Sequence, residues 1–275
     1  MKVAVCQTDI FFEDRRCNYA VGEEMIGRAA RKNADIALFP EMSFTGFSMN
    51  TALSAEKNSD TSEYMKRLAQ QYDISIGFGW VKKRDTRAEN HYSIVSRRGK
   101  IVLDYIKLHS FSPGGEDRHF TPGDSIETCI LEGMPFSVFI CYDLRFPEIF
   151  QAASNMVSSI IVPANWPEAR SEHWKCLLRA RAIETQCYII GINCVGMQGD
   201  TLYQGHSAVL NPAGETILEL SDSQEMQICE IEDDANFYRD CFPYKRDRRQ
   251  LLYSNLWKNI VKYTNDTGRK EVANE

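Results

Sequence analysis

One short stretch constrains this chain more than any other. Residues 135–140, Pro-Phe-Ser-Val-Phe-Ile, are apolar and β-prone; at Cys141 the run stops and becomes Tyr142-Asp143-Leu144-Arg145-Phe146-Pro147-Glu148. The pattern predicts a buried strand that hands a thiol to the start of a helix. A nucleophile placed there stands at the carboxyl end of a strand, beside backbone N–H groups that can lower its pKa and hold an oxyanion.

Two other strand ends carry chemistry. Residues 2–7 read as a first strand and residues 18–33 as a helix, with Ala20, Val21, Met25, Ile26, Ala29 and Ala30 at helical spacing. The apolar run 36–39 is ended by Pro40, and Glu41 opens a Gly-containing loop that reaches Phe47. Residues 61–72 form a predicted helix and 74–81 a strand. Residues 91–97 and 101–106 have the alternation and intervening Gly99 of a hairpin, which ends at Lys107. Residues 108–124 form a long loop containing Ser-Pro-Gly-Gly-Glu116, and loops of that length are more often functional than not.

Beyond Cys141, residues 148–154 begin a helix, and 159–162 form a strand closed by Pro163-Ala164-Asn165-Trp166-Pro167. A long helix over 172–186 sets Trp174, Leu177, Leu178 and Ala182 on one side, leaving Arg179, Arg181 and Glu184 for a solvated or interfacial face. Further strands follow at 188–195, 208–211 and 226–231. Hairpin-linked strands with flanking helices predict two sheets covered by helices, an α-β-β-α sandwich of the α/β class. No repeat or flexible linker marks a boundary, so residues 1–262 read as a single domain. Within it, 234–262 is expected to be a C-terminal extension packing on the domain or a partner, and 263–275 a frayed tail.

Composition excludes several functions. A net charge of −6 without long single-sign runs gives no footprint for nucleic acid or an anionic membrane. Nine cysteines without a C-x-x-C pair or metal-ligand spacing predict a reduced, cytoplasmic protein with no metal. The first residues read as a strand, not a leader, and no apolar stretch approaches the roughly 18 residues of a membrane helix.

A thiol attacking a carbonyl needs a base and a stabilised oxyanion, and no histidine stands at a clear strand end except His109. Carboxylate is therefore favoured over imidazole as the base. The blocks Phe39-Pro40-Glu41-Met42, Tyr105-Ile106-Lys107-Leu108-His109 with Phe120-Thr121-Pro122-Gly123, and residues 140–148 around Cys141 resemble, in order, the three signatures of the nitrilase superfamily of carbon–nitrogen hydrolases. The likeness runs from residue 1 to about 230. Residues 164–170, 179–184 and 211–215 resemble its omega-amidase branch, which hydrolyses the terminal amide of 2-oxoglutaramate or 2-oxosuccinamate.

The resemblance implies a four-layer sandwich, a homodimer, and cofactor-free hydrolysis of a small-molecule amide through a thioester. Cys141 would be the nucleophile, Glu41 the general base, Lys107 the oxyanion cation with the Tyr142 N–H, and Glu116 a second glutamate holding Lys107. A substrate carboxylate would need an arginine, Arg145 or Arg170, while Asn165, Trp166 and Phe47 would line the amide pocket. Read by itself, each residue has a plainer account: Arg145 in an ion pair with Asp143 or Glu148, His109 as a structural histidine, Glu116 on an exposed loop. Alternative activities are hydrolysis of an N-carbamoyl amino acid or of a nitrile; a non-catalytic binding protein or a thiol-redox protein are alternatives of another class.

Overall fold

The computed structural model describes residues 1–266. They divide into two compact units, Met1–Tyr238 and the segment from Arg239 onward, so the chain parts at Tyr238. The first unit is built on two large sheets of one plan. In one, the strand order is Glu225–Glu230, Lys2–Gln7, Ile36–Leu38, Ser75–Lys83, Ala88–Val95 and Ile101–Ile106, with Ala55–Glu56 also pairing on Ser75–Lys83. In the other it is Thr216–Glu219, Ala208–Leu210, Tyr188–Ile192, Ser159–Pro163, Met134–Val138 and Thr128–Leu131. The three central strands of each sheet are parallel, and the strands outside them on the main path each pair antiparallel with their inner neighbour.

Alternation along the strands builds the layers. Val3, Val5, Ile36 and Leu38 join Phe136, Val138, Ile160 and Val162 in the main core, whereas Ala4, Cys6, Ala37 and Phe39 face Met25, Ile26, Met65 and Leu68 of the helices Arg15–Arg31 and Asp60–Tyr72. Trp174, Leu178 and Ala182 of the helix Ser171–Thr185, with Phe150 of the helix Pro147–Ala153, cover the other sheet. The result is the expected α-β-β-α sandwich, its period-two strands buried on both faces.

Strand direction decides where the chemistry collects. Two antiparallel steps return Ile101–Ile106 to the direction of the central strands. Glu41, Lys107, Cys141, Asn165 and Asn193 therefore all lie just beyond strand carboxyl ends.

Several local expectations change. The 108–124 loop contains a 3-10 turn, Ser112–Gly114, and a short helix, Glu116–His119. The 188–195 strand stops at Ile192, and Val195–Gln198 pairs instead with Thr201–Gln204 as a separate two-stranded ribbon. Arg181 is not on a solvated face: it is 4% exposed, with Nε and Nη2 donating to the Leu144 carbonyl and Nη1 to Glu184. That carbonyl belongs to the turn after Cys141, and a buried acceptor there needs donors. In the second unit, the helix Gln250–Asp266 continues through the first residues expected to fray, and 267–275 lie outside the described residues.

Candidate active site

The strand Met134–Val138 leads through Phe139 and Ile140 into a 3-10 turn, Cys141–Arg145, headed by the thiol. Cys141 has φ of +46°, in the left-handed region. That conformation costs a residue with a Cβ about 1–2 kcal/mol, and nucleophiles on sharp strand-to-helix turns bear such strain. Tyr142 stands in the first turn of this 3-10 helix, a position whose N–H groups lack intrahelical acceptors.

Glu41 arrives on a loop pressed against the sheet. Ser43 N–H donates to the Gly79 carbonyl at 3.1 Å, and the Gly79 N–H donates back to Ser43 Oγ at 2.9 Å. A Cβ at Gly79 would lie 2.3 Å from Met42 N and 2.8 Å from the Glu41 carbonyl carbon, so only glycine permits this approach. Asn165 holds Glu41 from the other sheet: its N–H donates to Oε2 at 3.0 Å and its Nδ2 to the Glu41 carbonyl at 2.7 Å.

Lys107 sits between two carboxylates. Its Nζ is 2.9 Å from Glu41 Oε1, and 3.1 and 2.9 Å from Glu116 Oε1 and Oε2. All three side chains are almost completely buried, so Glu116 is not on an exposed loop. Asn90 Nδ2 donates to Glu41 Oε1 at 2.8 Å and to Glu116 Oε1 at 3.1 Å, and the Phe111 N–H donates to Glu116 Oε2 at 2.6 Å. Burial by itself would lower the Lys107 ammonium, but Glu116 and Glu41 outweigh it and hold the pKa well above the ordinary lysine value. Burial, then the Glu41 carboxylate, push the Cys141 thiol well up, against the pull of Lys107. Cys141 therefore rests as a thiol, and it needs a base at the moment of attack.

Above this floor lies a cavity of about 210 Å³ whose lining includes Lys107, Cys141, Tyr142, Phe47, Asn165 and Trp166. Arg145 and Arg170 also line it, lying over the rings of Trp166 and Phe111 at 4.7 and 5.6 Å. Among the described residues neither arginine is in an ion pair, so the Arg145 pairing with Asp143 or Glu148 is not formed. Every residue singled out from sequence thus converges here, Glu41 and Glu116 beneath the cavity and the rest on its wall.

Other members were not singled out. Thr201 and Tyr203 of the ribbon line the cavity. Gln198 Nε2 donates to Asn165 Oδ1 at 2.9 Å while its Oε1 accepts from the Phe47 N–H at 3.0 Å. Asn90 had one available signal, a polar side chain in the register that points Tyr92 and Ile94 into the main core.

A strand-end thiol facing a carboxylate and a buried ammonium, between two helix-covered sheets, defines a class of hydrolases that open carbon–nitrogen bonds of linear amides. The chain belongs to the carbon-nitrogen hydrolase family, whose sequence profile matches residues 2–240. It is similar to the hydrolase in the agr operon of Staphylococcus lugdunensis, 36% identical over 213 residues that cover 74% of this chain and 90% of that protein. It is also similar to the 2-oxoglutaramate amidase of Bacillus subtilis (strain 168), 29% identical over 256 residues, 91% of this chain and 98% of that one. Among solved structures, a CN-hydrolase superfamily protein from Xanthomonas campestris with an arsenic adduct in its active site matches with a TM-score of 0.85 at 24% identity, covering 90% of this chain and 97% of that one. That likeness concerns the fold.

Proposed function

We propose that this hydrolase is an omega-amidase that releases ammonia from the terminal amide of a 2-oxo dicarboxylate, 2-oxoglutaramate or 2-oxosuccinamate. The observation that carries it is the pair of arginines without an ion-pair partner among the described residues, Arg145 and Arg170, in the same small cavity as Cys141. Guanidinium groups in a largely apolar pocket favour a carboxylate on the substrate, and a volume of about 210 Å³ suits a short one.

In this proposal Glu41 takes the Cys141 proton as the sulfur attacks the amide carbon. The oxyanion is held by the Lys107 ammonium and the Tyr142 N–H. Glu41 then gives the proton to the departing nitrogen, ammonia leaves, and the acyl group remains as a thioester. Glu41 next deprotonates a water, which attacks the thioester; the carboxylic acid departs and the proton returns to sulfur. Glu116 keeps Lys107 charged and in place. Lys107, tied to both carboxylates, has no reason to give up its proton during the cycle.

All nine cysteines are free, which supports a reducing, cytoplasmic setting. A homodimer is proposed from the family likeness. The test is ammonia release from 2-oxoglutaramate by the purified protein and by Cys141→Ala. Turnover is expected only in the former. Equal activity in both would end the proposal, and carbon dioxide released with ammonia from an N-carbamoyl amino acid, with no turnover of 2-oxoglutaramate, would replace it.

A further inference from the structure

Asp143, two residues past the thiol, is fully buried, and its carboxylate joins two separate segments. Oδ2 accepts from the Ile140 N–H at 2.9 Å and the Tyr105 hydroxyl at 2.8 Å. Oδ1 accepts from the His109 N–H at 2.9 Å and lies 2.8 Å from His109 Nδ1. Ile140 immediately precedes Cys141, whereas Tyr105 and His109 flank Lys107, two residues to either side. The Asp143 N–H also returns to the Ile140 carbonyl at 3.0 Å. Backbone and side chain of one residue thus close the turn that keeps Cys141 left-handed, and the same carboxylate ties that turn to the Lys107 strand.

We propose that Asp143 is the positioning residue of the oxyanion site, fixing the Tyr142 N–H and the Lys107 ammonium in one frame. It does not line the cavity, so it acts through those groups. Hydrogen bonds to an ionised acceptor are the strong ones, and a donor site must be held to fractions of an ångström to serve a transition state. Burial and the Asp143 carboxylate hold the Tyr105 phenol well above its ordinary value, so it stays a donor at working pH. His109 is accordingly structural: it stacks on Phe146 with centroids 3.8 Å apart, and Phe146 in turn meets Tyr142 edge-on at 5.3 Å.

The inference rests on Cys141 acting by acyl transfer, and the test separates the two. Asp143→Asn and the milder Tyr105→Phe are compared with the wild type in amide hydrolysis and in alkylation of Cys141 by iodoacetamide. Alkylation forms the Sγ–C bond as iodide leaves and the thiol proton goes to base, so no oxyanion arises. Asp143→Asn is expected to lower kcat by about 100-fold or more, and Tyr105→Phe by roughly 10-fold, with KM and the alkylation rate of the folded proteins little changed. Unchanged kcat in folded Tyr105→Phe would overturn the assignment. So would parallel losses of turnover and alkylation, which mark a merely structural role. Hydrolysis persisting in Cys141→Ala would instead sink the underlying acyl-transfer proposal.

Discussion

Asn165 grips Glu41 at both ends, its backbone N–H on the carboxylate and its side-chain amide on the main-chain carbonyl. Its own carbonyl lies 3.8 Å from Cys141 Sγ, so one residue spans base and nucleophile. Asn165→Ala removes the donor to a buried carbonyl and the Oδ1 acceptor shared by Gln198 Nε2 and Cys194 Sγ, leaving those two only their contact with each other. Losing such a partner costs about 1–3 kcal/mol. A melting temperature lower by roughly 2–10 °C is expected, with kcat down at least about 10-fold. Calorimetry and steady-state kinetics check it; wild-type kcat would show that Glu41 is aimed by other contacts.

Gly79→Ala tests the loop from below. The new methyl collides with the backbone of Glu41 and Met42, neither of which is a flexible side-chain end. Overpacking of this kind costs about 1–3 kcal/mol, and displacing a base by about 1 Å can cost 100-fold in rate. The expected variant folds, melts several degrees lower and turns over poorly. A fully active Gly79→Ala would mean that the Glu41 loop has room to move.

The two arginines differ in their surroundings. Arg145 also leans toward His173, its Nη2 3.4 Å from Nδ1, while Arg170 rests on Phe111. Arg170→Ala is therefore expected to raise KM for an anionic monoamide by roughly 10- to 100-fold, Arg145→Ala by less, with a neutral amide of similar size unaffected. Equal KM changes for charged and neutral amides would remove the carboxylate role from both.

Buried thiols contribute to the alkaline limit. Burial pushes Cys129 and Cys229 up to about 11 from the ordinary 9.0, and Cys6, Cys141 and Cys194 are also raised. A raised folded value means that the unfolded chain loses the proton first. The associated stability is complete below pH 9.0 and declines as pH climbs toward about 11. Melting temperatures recorded across that window should fall, and fall less steeply when Cys129 and Cys229 are replaced by alanine. Identical pH slopes in both proteins would contradict it.

Glu41, Lys107 and Cys141 were legible because a strand end is a local signal: an apolar alternating run, then Pro40, a polar residue or a 3-10 turn. Asn90, Asp143 and Arg181 were not legible in the same way. Each looks locally like a strand polar residue, a turn acid or a surface charge, and acquires its role from a segment distant in sequence. Glu116 shows the same limit. Its Gly-rich neighbours suggest exposure, yet the Lys107 charge draws it inside, because a buried ammonium needs more than one partner. The C-terminal helix carries a local signal too, Leu252, Tyr253, Leu256 and Trp257 at helical spacing, but the charged run just before it makes the whole segment read as an irregular extension.

The pairing of one ammonium with two carboxylates has a consequence for the whole catalytic cycle. Two carboxylates close on a single Lys107 ammonium, and in that ion-paired form, with Cys141 as a thiol, these side chains sum to one negative charge. In the proposed acylation, Glu41 becomes neutral as the substrate oxygen becomes negative, and the sum is unchanged. The proposed cycle moves a proton between neighbouring groups without creating or discharging a net ion in a low-dielectric space. Such an isocoulombic path spares the enzyme any large solvent rearrangement, and the rate of its chemical step should be nearly indifferent to ionic strength.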